Sequence, residues 1–357
     1  MNNPDHNPTK IDRKRFEGVY YPWHDWLRAI CACSVMLYHD SALRWAHTGQ
    51  FAVDVFFALS GWLIAGILLN SDKADLTRFY FNRAIRIWIP YYIAVLFLLI
   101  LSIAREPVTA KWIEIVIYKL TFVYNLFGLP QLAEFHKAMP QQGTLSHVWS
   151  VNAEEQFYLL APLLLVLSSK FLGRSFLVWF CLAAVAWITN TYAAIVFGVT
   201  AAVCAHRYGA IHLTSLGRTT VIMVCITLLT LLALDVNYSS VAPFAAISIV
   251  LMLSIPGRQH SFGKIFGGMS YPLYLNHWVG VFAFNYLMPG MRDSLLRQGL
   301  AAIANVGFAI LLYWFIDRKL LEVRSDWYTP TRGKWVTICA YLMVMVGLVY
   351  GFFMLAV

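Results

Sequence analysis

Residues 26–40, WLRAICACSVMLYHD, decide how the rest of the chain is interpreted. This largely apolar run carries two ionisable residues, Arg28 and His39. Their separation of 11 residues places them, in a helix, within about 20° of one face and about 16 Å apart along the axis. Ionisable groups in a membrane helix are costly and usually mark a functional path. The alternative is a soluble core helix with one hydrogen-bonded histidine.

The composition of the whole chain favours the membrane interpretation. Of its 357 residues, 60% are hydrophobic and 13% are charged, whereas an average soluble domain is about 45–50% apolar and about 25% charged. We therefore predict an all-α polytopic membrane protein with about 10–11 transmembrane helices and no cleaved signal peptide. The predicted spans cover residues 26–45, 52–70, 87–104, 150–169, 175–190, 192–205, 219–235, 240–256, 270–288, 299–316 and 335–356.

The basic residues predict the orientation of these spans. With the N-terminus in the cytoplasm, the inside segments hold 19 of the 27 lysines and arginines, and the outside segments hold seven. This distribution follows the positive-inside rule. We predict a cytoplasmic tail over residues 1–25, followed by a single membrane domain over residues 26–357. The net charge of +9 is then explained by cytoplasmic loops, and we expect no nucleic-acid partner.

The six cysteines give no sign of a metal centre. All of them lie in or beside apolar runs, none forms a CxxC pair, and none has zinc-like spacing with histidines. Such cysteines are usually buried small hydrophobic residues. We therefore expect no metal cofactor.

The second predicted span begins with GQFAVDVFFALSGWLI, residues 49–64. We place Asp54 in its first turn, where the carboxylate either binds substrate or satisfies free N–H groups of the helix. Ser60 and Gly61 lie about halfway down the span. Small residues at this depth permit another helix to approach closely.

A pair of carboxylates enters the fourth predicted span. In SHVWSVNAEEQFYLLAP, residues 146–162, Glu154 and Glu155 lie near the outer end. Adjacent helical residues project about 100° apart, so at most one of these carboxylates easily shares a given cavity. Trp149 and Tyr158 suit an aromatic belt at the membrane surface.

Two further motifs lie toward the cytoplasmic side. In RFYFNRAIRIWIPYY, Arg83 and Arg86 are one turn apart on one helix face. Paired guanidinium groups suit bidentate phosphate binding, although an ordinary basic flank is the alternative. His277 lies about two turns into the ninth span, in SYPLYLNHW. It is either functional or a hydrogen-bonded core histidine.

Residues 111–129 are neither a span nor a short loop. They are apolar, but Lys111, Glu114 and Lys119 interrupt them. This pattern predicts an outer interfacial or re-entrant helix, which would help to shape an acceptor site.

Taken in order, the motifs resemble the bacterial acyltransferase 3 family over residues 25–290. They are the Arg-x10-His pair, VDVFFALSG, RxxR, WSVNAEEQFY and SYPLYLNH. The resemblance implies about ten core helices, which leaves the last span, residues 335–356, as a candidate addition to the core. It also implies a multi-pass protein of the bacterial inner membrane. Val151 stands where the family usually has leucine, and we expect no fused esterase-like SGNH domain after the last span.

The resemblance implies a role for each candidate residue, carried over motif by motif. Catalytic roles fall on His39, Arg28 and Glu154. The acyl-coenzyme A donor would be held by Arg83, Arg86 and Arg28. Substrate binding is assigned to Asp54, Trp149, Glu155, Tyr158 and His277.

We therefore predict a membrane-bound O-acyltransferase. It would transfer an acyl group, most often acetyl, from cytoplasmic acetyl-CoA or another acyl-CoA to a hydroxyl of an extracytoplasmic or lipid-linked glycan of the O-antigen, capsule or exopolysaccharide type. His39 would act as general base or as acyl carrier. Membrane lipids and glycan-assembly proteins are the expected partners. The alternative is a proton-coupled transporter or flippase that uses His39, Glu154 and His277 as a relay, although no inverted repeat supports it.

Overall fold

The computed structural model describes residues 19–168 and 170–356. It is 82% helical, and these residues contain no strand, which confirms the predicted all-α class. Most of the predicted tail, residues 1–18, lies outside the described part. Within that part we number the helices of ten residues or more. They are α1 (Pro22–His39), α2 (Thr48–Leu68), α3 (Leu76–Ile103), α4 (Ala110–Leu120), α5 (Trp149–Pro162), α6 (Phe176–Ile188), α7 (Ala193–Tyr208), α8 (Ser215–Ala233), α9 (Tyr238–Leu253), α10 (Ser261–Asn276), α11 (Trp278–Leu287), α12 (Leu295–Leu312), α13 (Arg318–Trp327) and α14 (Pro330–Ala356).

Every predicted span falls on a helix of the structure. Among the described residues, five helical runs are long and apolar enough to cross a membrane, and α6, α7, α9 and α11 are shorter apolar helices. The ninth predicted span is divided, because α10 ends at Asn276 and α11 begins at Trp278. The five long runs are Thr48–Leu68, Lys73–Ile103, Ser215–Ala233, Leu295–Trp327 and Pro330–Ala356.

The described residues form two compact units. The first unit contains residues 19–38, 43–73 and 161–267, and the second contains residues 39–42, 74–160 and 268–356. Each unit is therefore assembled from separate stretches of the chain. The single membrane domain expected from the sequence stays a prediction.

In the first unit, α2 and α7 cross at a pair of glycines. A Cβ atom at Gly61 would lie 2.1 Å from the carbonyl oxygen of Ile195, and one at Gly198 would lie 2.2 Å from that of Ala58. No side chain fits at either distance, so the two backbones touch only because both residues are glycine. The packing role expected of Gly61 is confirmed.

Replacing Gly61 with Ala is expected to destabilise the protein by about 1–3 kcal/mol, because the new methyl group forces the two helices apart. The measurement is the thermal unfolding midpoint of the purified protein in detergent. Gly66→Ala is the matched control, since it lies on the same helix and a Cβ there meets nothing within 4 Å. Equal midpoints for the two variants would contradict the tight crossing.

In the second unit, hydroxyl groups join α3 to its neighbours. The hydroxyls of Tyr80 and Tyr341 lie 2.8 Å apart, and Tyr341 also donates to the carbonyl of Leu159 at 2.8 Å. The fully buried Tyr91 donates to the carbonyl of Lys119 at 2.9 Å. These bonds satisfy polar groups of a long apolar helix and hold α3 in place.

The charges that interrupt residues 111–129 are internal contacts. On α4, Lys111 pairs with the buried Glu114 at 2.5 Å. Lys119 is 1% exposed and donates to the carbonyls of Thr144 and Leu145 at 3.1 and 3.0 Å. An interfacial helix would turn charged side chains toward water. Lys119 is instead buried and holds the loop that contains Thr144 and Leu145. Burial lowers the pKa of Lys119 to about 7.

Candidate active site

Three histidines from separate stretches of the chain meet in the second unit. His39 is the last residue of α1, His147 lies two residues before α5, and His277 separates α10 from α11. One ligand atom of each ring lies within 4.8 Å of the others. The ring centroids of His147 and His277 are 4.3 Å apart, and those of His39 and His277 are 5.2 Å apart. His39 is exposed and the other two are buried, so the cluster presents one accessible imidazole beside two inaccessible ones.

Hydrogen bonds hold the two buried histidines. Nδ1 of His277 lies 2.9 Å from the carbonyl oxygen of Tyr274, and because a carbonyl only accepts, this nitrogen carries the proton. The hydroxyl of Tyr274 donates to the carbonyl of His147 at 2.7 Å. Asn305 donates to the carbonyl of His277 at 2.6 Å and accepts from the N–H of Gly280 at 2.7 Å. Asn305 thus satisfies backbone groups that the helix break would otherwise leave free.

The loop before His147 is held in an unusual conformation. Gln141, Gln142 and Leu145 have φ angles of 47°, 51° and 61°. Each such angle at a residue other than glycine costs of order 1–3 kcal/mol and persists only where its surroundings enforce it. Lys119 supplies one such restraint through the carbonyl of Leu145. The strained loop that positions His147 therefore lowers the stability of the folded protein, and its neighbours hold it in this conformation.

A buried ion pair follows directly after His39. The guanidinium of Arg297 donates to the carboxylate of Asp40, and the two side chains are only 4% and 6% exposed. Gln298 donates to the carbonyl of Asp40 at 3.1 Å. Buried charges are retained when they are paired and hydrogen-bonded. Both contacts tether the chain at the end of α1, and so they position His39.

The two predicted arginines lie inside a helix and not at its start. Because α3 begins at Leu76, Arg83 and Arg86 fall in its second and third turns. The guanidinium of Arg83 lies 5.5 Å from the ring centroid of Tyr158, and its buried Nε has no hydrogen-bond partner among the described residues. Arg86 is exposed. The charge of Arg324, on α13, acts on both arginines, so three guanidinium groups share one region of the second unit.

The acidic pair of α5 faces two different partners. Glu155 is buried and accepts a hydrogen bond from the indole N–H of Trp88 at 2.8 Å. Glu154 accepts one from the hydroxyl of Tyr158, and its charge acts on Arg83. The structure thus brings Glu154 and Tyr158 to the arginines, while Trp149 is half-buried at the start of α5. As expected from their spacing, the two carboxylates do not share one environment.

Arg28 and Asp54 belong to the first unit. Arg28 forms an ion pair with Asp25 at 3.2 Å. Asp54 is the seventh residue of α2, so its expected place in the first turn is wrong, because the helix begins earlier than predicted. Its carboxylate accepts from the hydroxyl of Tyr238 at 2.6 Å. The ring of Tyr238 stacks on His47 with centroids 4.1 Å apart.

Sequence reasoning missed three of these residues. His147 stands inside SHVWS, two residues before Trp149, and a histidine at a predicted membrane boundary was a usable signal. Arg297 is one of the seven basic residues in the predicted outside segments, and nothing in the sequence distinguishes it from the others. Arg324 lies in a charged segment beyond the motifs, where nothing in the sequence distinguishes it.

The sequence profile of the acyltransferase 3 family, described as an acyltransferase domain, matches residues 21–314. The chain therefore belongs to this family, and the resemblance inferred from its five motifs is confirmed. The match leaves α13 and α14 outside the family region. No solved structure matches the chain significantly.

Curated relatives agree with this assignment. The peptidoglycan O-acetyltransferase OatA of Listeria monocytogenes is 28% identical over 188 residues, which cover 50% of this chain and 30% of the relative. The O-acetyltransferase OatA of Staphylococcus aureus is 32% identical over 43% of this chain and 27% of its own length. The putative peptidoglycan O-acetyltransferase YrhL of Bacillus subtilis is 33% identical over 41% of this chain and 24% of its own. The chain thus spans less than a third of the length of these relatives.

The chain is accordingly a member of the acyltransferase 3 family, and its described part contains helices long and apolar enough to cross a membrane. The comparisons do not support the alternative prediction of a proton-coupled transporter or flippase.

Proposed function

We propose that this protein transfers an acetyl group from acetyl-coenzyme A to a sugar hydroxyl of an envelope glycan, with His39 as general base. The observation that carries the proposal is the position of His39, an accessible imidazole held beside two buried ones in a chain of the acyltransferase 3 family. Neutral imidazole is suited to accept a proton near pH 7. Two relatives are named as peptidoglycan O-acetyltransferases, which supports a glycan acceptor.

In the proposed reaction, His39 moves one proton from the acceptor hydroxyl to the leaving thiolate. His39 takes the proton of the acceptor hydroxyl as its oxygen attacks the thioester carbonyl carbon. The new C–O bond forms, the C–S bond breaks, and the proton on His39 passes to the leaving thiolate to give free coenzyme A. If His39 carries the acyl group instead, its nitrogen attacks the thioester carbonyl and the C–S bond breaks first. The acceptor hydroxyl then attacks the acyl-imidazole, the C–N bond breaks, and the hydroxyl proton passes through the released imidazole to the thiolate.

Arg83 and Arg86 are proposed to hold the phosphate groups of the donor. The orphaned Nε of Arg83 and the nearby charges of Arg86 and Arg324 support an anionic ligand. The three guanidinium groups outnumber the two carboxylates, Glu154 and Asp317, whose charges interact with them, and like charges repel unless they are compensated. Guanidinium groups are the preferred partners of phosphate. The donor would approach from the cytoplasm, as the predicted orientation requires.

Removing this arginine pair should weaken binding of the acyl donor and leave the rate of the chemical step nearly unchanged. Arg83→Ala combined with Arg86→Ala is expected to raise the KM for acetyl-coenzyme A by about tenfold or more, which corresponds to the loss of one or two charge-assisted hydrogen bonds. The value of kcat should change much less, since the phosphates lie far from the reacting carbonyl. Initial rates in membrane vesicles with varied donor provide the measurement.

Arg318→Ala is the matched control for the arginine pair. Arg318 is also a helical arginine, but it forms an exposed ion pair with Glu322 at 2.8 Å. Its replacement should leave both constants unchanged. An unchanged KM for acetyl-coenzyme A in the double variant would show that Arg83 and Arg86 do not bind the donor.

The function itself is tested by mass spectrometry of the envelope glycan from cells with and without the gene. The expected result is the loss of one acetyl increment per modified unit, restored when the gene is supplied again. Identical glycan masses would overturn the proposed function.

A further inference from the structure

We propose that His39, His147 and His277 bind one divalent transition-metal ion, with Zn²⁺ as the expected occupant, and that the bound ion inhibits the acyltransferase. The inhibitory part rests on the proposed function, because it assumes that His39 acts as the base. The binding part rests only on the geometry of the cluster. The ion is an inhibitor and not a cofactor, so the expectation that catalysis needs no metal is unaffected.

The donor set selects the class of ion. Three neutral imidazole rings offer three nitrogen ligands within 4.8 Å of one another, and the cluster contains no carboxylate. Imidazole suits zinc, copper, nickel and cobalt, whereas magnesium and calcium require oxygen ligands. Three histidines around one ion leave a fourth position open for water, which is a common zinc arrangement.

The two buried rings are prepared as ligands. Nε2 of His147 is buried and has no hydrogen-bond partner among the described residues, and such an orphaned group calls for a physical explanation. Nδ1 of His277 is bound to the carbonyl of Tyr274, which leaves Nε2 of that ring to bind a ligand. A ring N–H that donates to a backbone carbonyl is the usual support of a metal-binding histidine.

The third ligand, His39, is the ring through which an ion enters the cluster and the ring that can shift to complete its coordination. Two nitrogens on a tetrahedral zinc ion lie about 3.3 Å apart, so the cluster must contract by up to about 1.5 Å. The backbone carbonyls of His147 and His277 accept hydrogen bonds from Tyr274 and Asn305, and the ring of His277 also donates to the carbonyl of Tyr274, so both buried residues are restrained. His39 is exposed at the end of α1, and it is therefore the ring that moves. An ion from solvent reaches the cluster from this side and occupies the lone pair that the acceptor hydroxyl needs.

The test uses the full chain, purified in detergent, stripped with a chelator and then titrated with Zn²⁺ or Co²⁺. We expect one zinc ion per chain by elemental mass spectrometry and the visible absorption of four-coordinate Co²⁺. His147→Ala and His277→Ala should each weaken binding by about 100-fold or more, since even the loss of an outer partner costs about 10–100-fold. His136→Ala is the control, because this histidine is exposed and lies outside the cluster.

Two further measurements separate binding from folding and from activity. His147→Gln keeps most of the side-chain volume but removes the imidazole, and the thermal midpoint of each variant shows whether it is folded. The binding site is overturned if the folded wild type takes up no stoichiometric zinc, or if the folded His147 and His277 variants bind as tightly as wild type. Zinc that binds without slowing acyl transfer would overturn the inhibitory role. A chain that binds zinc at the three histidines but never transfers acetyl groups would support the metal site and contradict the proposed function.

Discussion

Replacing His39 with Ala is expected to lower acetyl transfer by about 10²–10⁴-fold, the usual contribution of a general base. The variant should still fold, because His39 is an exposed residue at the end of α1 and exposed side chains contribute little to stability. The measurement is the amount of acetylated glycan formed by membranes that contain equal amounts of wild-type or variant protein.

His136→Ala serves as control, since it removes an exposed histidine outside the cluster and should leave transfer unchanged. Undiminished transfer by the His39 variant would exclude His39 as the base. A brief reaction with labelled acetyl-coenzyme A, stopped with denaturant, separates the two chemical routes. Label retained on a peptide that contains His39 would indicate the acyl-imidazole route, and its absence would favour direct transfer.

Removing one member of the Asp40–Arg297 ion pair is expected to destabilise the protein by about 3–5 kcal/mol, because the remaining charge is left buried without its partner. Asp40→Asn and Arg297→Met are the variants to compare, and the thermal unfolding midpoint in detergent is the measurement. Transfer should also fall, since Asp40 is adjacent to His39 in the chain and loses its tether.

The exposed pair Arg318–Glu322 provides the control, because its side chains are 39% and 58% exposed and such pairs contribute about 0–1 kcal/mol. Arg318→Met should therefore leave the midpoint almost unchanged. Combining Asp40→Leu with Arg297→Met should restore part of the lost stability, since no buried charge remains. Midpoints equal to wild type in both single variants would show that the pair does not anchor the end of α1.

Much of the fold could be predicted because apolar runs and helix lengths are local properties of the chain. All eleven predicted spans fall on helices, although α3 begins at Leu76 instead of residue 87. The boundary differs because polar and basic residues such as Arg83 are tolerated inside this helix, where Tyr158 and other rings cover them. A prediction from hydropathy alone places the start of the third span after these residues.

The candidate site could be predicted only where its residues stand in motifs. The motifs identified His39 and His277 separately, and nothing in their spacing indicated that the two rings meet. The contact depends on the break between α10 and α11, which Asn305 stabilises from another helix. His147 was missed for a similar reason, because its position depends on the loop that contains Leu145 and on the side chain of Lys119.

The wide separation of the three histidines along the chain has a consequence for biosynthesis. His39 is synthesised early, His147 follows about 110 residues later and His277 about 240 residues later, while domains emerge from the ribosome at about 5–20 residues per second. The cluster therefore cannot close until α10 has been made, and every nascent chain passes through a period in which His39 has neither neighbour. A chain truncated before α10 would insert its first helices yet hold an incomplete cluster, so assembly of this site is a late event in the production of the protein.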